Sequence, residues 1–198
     1  MKCYNVVLCA VAMSLCCLAG EVRAANLITN GTFDAGLTSW SVANLVVPDT
    51  GVSPDGPSAS MQSHDYYAPG DGVLHQVNTT HPFALGETYN VSFLLGAING
   101  TSTIDIALID ETTAVTVAPV SIVLGAGTGW GSHSFSYTVD PTLVGHQWGL
   151  SVTDVLGGPW AGVDTISVTA TIVPEPSSVV LTAMGVLGLL GGAWRKRT

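Results

Sequence analysis

Five histidines, His64, His75, His81, His133 and His146, are the groups between residues 25 and 173 best suited to move a proton or bind a metal near neutral pH. No two of them stand at i, i+2 or i, i+4, the spacings that would put a ligand pair on one face of a strand or a helix. His64 with Asp65 and Asp71 is the nearest thing to a cluster, and it reads as a surface loop. A Ser–His–Asp set can be composed from any chain with this many serines, so its presence carries no information. Gly-x-Ser-x-Gly, His-Glu-x-x-His and a glycine-rich phosphate loop are all absent from the sequence. A carboxylate pair for glycoside hydrolysis is compatible with the spacing of the acids, but nothing selects one. Trp40, Trp130, Trp148 and Trp160, with Tyr66 and Tyr67, are the side chains able to stack on a sugar ring. Trp40 and Trp148 lie among alternating apolar residues and are expected in the core. Tyr66, Tyr67 and Trp160 lie among Gly, Pro, Asp and Ser, and are the candidate ligand-binding aromatics.

Charge narrows the chemistry further. The formal net charge is −9, yet all five basic residues sit at the ends: Lys2, Arg23, Arg195, Lys196 and Arg197. Of the 14 acids only Glu21 and Glu175 lie outside residues 25–173, which leaves 12 acids in the body and no lysine or arginine. Such a body has no cation with which to displace phosphate counterions, so no nucleic-acid partner is expected. It repels anionic surfaces and suits neutral ligands or oxygen-bound divalent cations. It has no cationic side chain to stabilise an oxyanion. The expectation is a protein that is not an enzyme.

The elements that must position these residues read as strands. Tyr89, Val91, Phe93 and Leu95 alternate with Asn90, Ser92 and Leu94, and His133, Phe135, Tyr137 and Val139 alternate with serines and a threonine. Trp148, Leu150 and Val152, then Ile166, Val168, Ala170 and Ile172, repeat the pattern. This is period 2, the signature of half-buried antiparallel strands. Residues 40–47, 73–77, 103–109 and 114–124 are further strands, and the Gly/Pro/Asp clusters at 49–57, 68–72 and 125–129 read as turns. No stretch of the body shows a 3.6-residue period. The expected fold is all-β, an antiparallel β-sandwich of one domain over residues 25–173.

Asn26-Leu-Ile-Thr-Asn-Gly-Thr-Phe-Asp34 followed by Leu37-Thr-Ser-Trp40, and Gly162-Val-Asp-Thr-Ile-Ser-Val168 at the other end, resemble the opening and closing segments of the galactose-binding-like jelly rolls, which include many carbohydrate-binding modules. His75-Gln76-Val77, Gly86–Phe93 and Trp130 before Ser134–Val139 fit the same resemblance. It implies a jelly roll whose first and last strands lie close together. It also implies that Asp34 and Asp164, with backbone carbonyls near residues 26–30, hold a structural calcium. The family commonly has Glu where this chain has Asp34, and a second Asp or Asn where it has Thr165.

The ends of the chain carry an address. Residues 1–24 combine Lys2, an apolar run from Val6 to Ala19 and Val22-Arg23-Ala24 before Ala25, the pattern of a cleaved secretory signal helix. All four cysteines, Cys3, Cys9, Cys16 and Cys17, fall inside it, so the exported body has no disulfide. Residues 174–198 begin Pro-Glu-Pro-Ser-Ser, continue as an uncharged stretch to Trp194 and end Arg-Lys-Arg-Thr. Residues 177–194 would span roughly 27 Å as a helix, close to the ~30 Å bilayer core, with the basic end in the cytoplasm. The tail resembles the PEP-CTERM sorting signal of bacterial surface proteins. That implies recognition of Pro174, Glu175 and Pro176 by an exosortase, a membrane stop at Arg195, Lys196 and Arg197, and a chain anchored in the cytoplasmic membrane before it reaches the surface or the extracellular polysaccharide. Three functions fit: a non-catalytic exported β-sandwich that binds carbohydrate, a secreted carbohydrate-active enzyme or its accessory module, and a structural adhesin with no ligand site.

Overall fold

A computed structural model describes residues 25–44, 46–54, 56–61, 72–156 and 160–172. The signal segment 1–24, the tail 173–198, His64, Tyr66 and Tyr67 lie outside the described residues, as does the side chain of Trp160. Among the described residues no helix is long and apolar enough to cross a membrane.

Ten strands follow one another: β1 Ser41–Ala43, β2 Val46–Ser53, β3 Gly56–Met61, β4 Val73–Asn78, β5 Glu87–Asn99, β6 Ser102–Asp110, β7 Val115–Leu124, β8 Gly131–Thr138, β9 Trp148–Leu156 and β10 Trp160–Ile172. Among the described residues a single 3-10 turn, Pro141–Leu143, interrupts them; Asp140 caps it by accepting from the Thr142 amide at 2.8 Å. Two five-stranded antiparallel sheets result, a front sheet ordered β1-β4-β9-β6-β7 and a back sheet ordered β2-β3-β10-β5-β8. This is the expected all-β sandwich. One reading of the sequence is corrected. The Asp/Gly/Pro cluster at 49–57 is not a loop between strands but the facing ends of β2 and β3, with Asp49 opposite Ser58 and Ser53 opposite Gly56. Ladder hydrogen bonds belong to the backbone, so a strand can form where side-chain propensity is poor.

Alternation decides which residues meet between the sheets. Along β6, Ser102, Ile104, Ile106, Leu108 and Asp110 face inward while Thr103, Asp105, Ala107 and Ile109 face out. Along β5, Tyr89, Val91, Phe93 and Leu95 are buried at 2% exposure or less. Trp148 is the largest fully buried side chain, as its alternation predicts. Its ring meets Tyr89 edge-on at 5.2 Å and stacks near Phe83 at 6.4 Å, and its Nε1 donates to the His81 carbonyl at 2.7 Å. The buried indole therefore has its one donor satisfied.

Residues 26–40 lie across the sandwich rather than inside a sheet. The Leu27 amide donates to the Val168 carbonyl of β10 at 2.7 Å, and Asn26 Oδ1 accepts from the Val168 amide at 2.9 Å. From the other sheet, Gln76 of β4 exchanges bonds with Thr29 at 2.8 and 2.9 Å, and Asn78 Nδ2 donates to the Leu27 carbonyl at 2.9 Å. The segment is thus a clip that ties β10 to β4 through side-chain amides, of which Gln76 and Asn78 are buried. Gly31 sits where the clip touches β10: its carbonyl accepts from the Ile166 amide at 2.9 Å, and a Cβ there would collide with the Ile166 carbonyl oxygen. That obstacle is backbone and cannot rotate away. Gly31→Ala is expected to cost about 2 kcal/mol or more, read as a lowered urea midpoint with unchanged m.

Candidate functional site

The outward side chains of the front sheet form rows set by strand register. Ser41, His75, Ser151, Ala107 and Pro119 make one row, and Ala43, Val73, Thr153, Asp105 and Ser121 make the next. A third holds Val77, Gly149 and Ile109. The central feature is a hydrogen-bonded histidine–carboxylate pair seated over Gly149. His75 Nε2 and Glu111 Oε1 are 2.8 Å apart, and their side chains are 29% and 21% exposed. A Cβ on residue 149 would collide with Glu111 Oε1 and lie 2.8 Å from His75 Nε2 and 3.0 Å from the Gln76 carbonyl. The missing side chain of β9 therefore makes the hollow in which β4 and the β6–β7 turn bring their polar groups together. Sequence reading missed this pair because its members are 36 residues apart. The one signal available was a glycine interrupting the alternation of Trp148, Leu150 and Val152.

Two further histidines pair with carboxylates at the same end of the sandwich. His81 Nε2 lies 3.0 Å from Glu87 Oε2, and His146 Nδ1 lies 2.9 Å from Asp110 Oδ2. Asp110 is fully buried, and it accepts from the Thr112 amide at 2.9 Å and from the Thr113 hydroxyl. Burial by itself would raise the Asp110 pKa, but the hydrogen bonds from Thr113, His146 and the Thr112 amide, with the His146 charge, outweigh it and hold the carboxyl below the ordinary aspartate range. Beside Glu87, burial first and then the carboxylate's charge and hydrogen bond push the Tyr89 hydroxyl well above the usual tyrosine range, so it stays protonated. His133 pairs with no acid in this way; its ring stacks on Phe93 with centroids 6.0 Å apart.

The residues expected to bind calcium stand differently from one another. Asp34 accepts from the Thr32 hydroxyl at 2.7 Å on the exposed turn. Asp164 is 1% exposed and accepts from the Ser53 hydroxyl and, at 2.6 Å, from the Thr165 amide. The carbonyls of Leu27, Thr29 and Asn30 accept from Asn78, Gln76 and Trp40. A calcium ion needs six to eight oxygens, so these carboxylates and carbonyls would coordinate it alongside the hydrogen bonds they make. Among the described residues no group of three or more His, Asp or Glu side chains gathers as a ligand set.

The aromatics divide as follows. Trp40 is 7% exposed, stacked on Phe33 at 5.5 Å with its Nε1 on the Asn30 carbonyl at 3.0 Å, so it is core as expected. Trp160 opens β10, and Tyr66 and Tyr67 precede β4 outside the described residues. Trp130, just before β8, is partly exposed and packs flat on the back sheet.

Comparison with known proteins places the two halves of this picture. Residues 173–197 match the PEP-CTERM protein-sorting motif, which confirms the tail as a sorting signal of exported proteins. No curated protein sequence matches the chain. Among solved structures, the fold is similar to the CBM22-1 xylan-binding domain from Paenibacillus barcinonensis, with 11% identity over 78% of this chain and 99% of that one and a TM-score of 0.55. It is also similar to a cyclase from Fischerella sp. TAU, with 14% identity over 75% of this chain and 98% of that one and a TM-score of 0.60. A third likeness is to the enzymatically active domain of tailspike protein 4 of bacteriophage CBA120, with 13% identity and a TM-score of 0.58; the match covers 74% of this chain but only 21% of the tailspike. These likenesses establish a jelly-roll sandwich shared by binding modules and enzymes.

Because the native Asp110 pKa is lowered, its contribution to stability is fully present above the unfolded value of about 3.9 and is lost as the pH falls through the native one. Asp110→Asn is expected to be less stable than the wild type by about 1–3 kcal/mol at pH 6. Urea titrations at stepped pH should show that gap closing below about pH 4.

Proposed function

We propose that this chain is an exported, exosortase-sorted protein whose β-sandwich binds neutral carbohydrate at the cell surface or in the extracellular polysaccharide, without catalysis. The observation that carries the reading is the joining of a PEP-CTERM tail at 173–197 to a jelly roll that contains no lysine or arginine. The tail delivers the domain to a place where polysaccharide is the abundant polymer. The acidic body disfavours uronates, sulfates and phosphates, and leaves neutral hydroxyl-rich chains as the ligand. On the front sheet, the half-exposed His75–Glu111 pair beside Ser41 and Ser151 offers charged and neutral hydrogen-bonding groups to sugar hydroxyls. Tyr66, Tyr67 and Trp160 are the proposed ligand-binding aromatics, of which Trp160 opens β10 of the back sheet and so stands apart from the His75–Glu111 pair. The exosortase is the processing partner, with Pro174, Glu175 and Pro176 as its recognition element and Arg195, Lys196 and Arg197 as the stop. Intact mass of the protein from cells with the enzyme should lack the tail, and from cells without it should retain the tail.

A second reading, a carbohydrate-active enzyme, is favoured by the acid–base character of His75 and Glu111. One experiment separates the two. The protein as its host exports it is incubated with insoluble xylan, galactan and cellulose, and with pectate as the acidic control. The binding reading expects retention on at least one neutral polymer, none on pectate, and no release of reducing sugar. His75→Ala and Glu111→Ala should each weaken retention about tenfold or more. Release of soluble sugar that Glu111→Gln abolishes would instead make the chain an enzyme. Retention on none of the polymers would leave a structural adhesin.

A further inference from the structure

The outer face of the back sheet differs from that of the front sheet in a way no sorting or fold argument explains. Strand register sets β8, β5 and β10 side by side there in rows: Thr138, Thr88 and Thr171; Ser136, Asn90 and Thr169; Ser134, Ser92 and Ser167. Nine positions thus hold eight hydroxyls and one amide, with no charge. In a body with 12 acids, an uncharged patch of this size is a departure from its surroundings. The patch is also partly pre-ordered. Thr88 and Thr138 share a hydrogen bond of 3.0 Å between their hydroxyls, and the Ser136 hydroxyl donates to Asn90 Oδ1 at 2.8 Å. The next row, Ser132, Leu94 and Asp164, contains a carboxylate, but Asp164 is 1% exposed and engaged by Ser53 and Thr165; at the other end, exposed Asp140 follows two residues beyond Thr138 and caps the 3-10 turn.

One row further on, β5 and β10 carry no side chain. Gly96 of β5 faces Gly162 of β10 in register, and the Trp130 ring covers both. A Cβ on Gly96 would lie 2.9 Å from Trp130 Cδ2 and 3.0 Å from Cε2, and one on Gly162 would collide with the far edge of the same ring. Two glycines 66 positions apart in sequence, flat on adjacent strands, are what allows an indole to lie parallel to the sheet. Trp130 is partly exposed. A flat aromatic ring continuous with a pre-ordered hydroxyl and amide lattice presents the two features a sugar chain uses, an apolar CH face for the ring and fixed partners for its hydroxyls.

We propose that this face, from Trp130 along Ser132, Ser134, Ser92 and Asn90, is a second binding face for a neutral polysaccharide chain, on the opposite side of the sandwich from His75 and Glu111. The inference rests on the reading of the domain as a carbohydrate binder and adds where a second chain sits. The rows from Trp130 to Thr138 extend about 27 Å at two residues per row, long enough for several sugar rings. A domain with one chain on each sheet joins two chains, so the exported protein cross-links the polymer it is sorted into.

The test is binding stoichiometry, measured by calorimetry on the exported protein with soluble xylo- and galacto-oligosaccharides. Two sites per chain are expected. Trp130→Ala should weaken one of them about tenfold. The double variant Ser92→Glu and Ser136→Glu, which alters exposed or half-exposed positions and leaves the glycine seat intact, should abolish that same site while the other keeps its affinity. If Trp130→Ala does not fold, the double variant alone decides. A single site that Glu111→Ala removes and the double variant leaves untouched overturns the second face and leaves the carbohydrate reading standing. A single site that only the back-sheet variants remove supports this face and overturns the front-sheet assignment. Absence of binding to either sugar, with retention on no insoluble polymer, overturns both.

Discussion

A domain without lysine or arginine that still buries carboxylates has to supply their hydrogen bonds by other means, and this constraint shapes the sandwich. Glu87, Asp110 and Asp164 are 5% exposed or less. An isolated buried carboxylate is costly, and a guanidinium or ammonium is its usual partner. Here imidazoles, hydroxyls and main-chain amides take that place: His81 on Glu87, His146 with Thr112 and Thr113 on Asp110, Ser53 and Thr165 on Asp164. Each such bond fixes a connection as well as a charge. His146 holds the β8–β9 connection to the end of β6, and His81 holds the β4–β5 connection to the start of β5.

The same economy governs the neutral part of the structure. The clip of residues 26–40 joins the two sheets through Asn26, Gln76 and Asn78, and Asn30 braces the clip internally on Gly36 and Thr38; all four are amides that donate and accept at once. Asn30 adopts φ of 54° and Phe33 of 53°, so the chain turns tightly enough to bring Trp40 back over Phe33. Close approach is bought by glycine at three places, Gly31 under Ile166, Gly149 under the His75–Glu111 pair, and Gly96 with Gly162 under Trp130. Two of these make room for the polar and aromatic groups that the outer faces present.

Much of the fold was legible because one face of each strand is buried and the other is wet. Burial forces apolar and polar residues to alternate along β5, β6, β8 and β9, and that period survives in the sequence. Trp40 and Trp148 could be assigned to the core on the same ground. The β2–β3 hairpin was not legible, since its Asp, Gly and Pro residues describe a turn while its backbone makes a ladder. The polar pairs were not legible either. His75 with Glu111 and His146 with Asp110 are each separated by 36 residues, and register, not local spacing, brings them together.

The sequence by itself determined the address of this protein, its charge and its class of fold. A sorting tail is read as a linear string by another protein, net charge is a sum, and strand periodicity is local, so none of the three requires the chain to be folded. Only the tertiary structure decided which polar groups meet. The pairing of β4 with β9 and of β9 with β6 put Gly149 between His75 and Glu111, and the pairing of β5 with β10 put Gly96 against Gly162 beneath Trp130. Register is a property of pairs of strands distant in sequence, so a site written in register appears only when the sheets have formed.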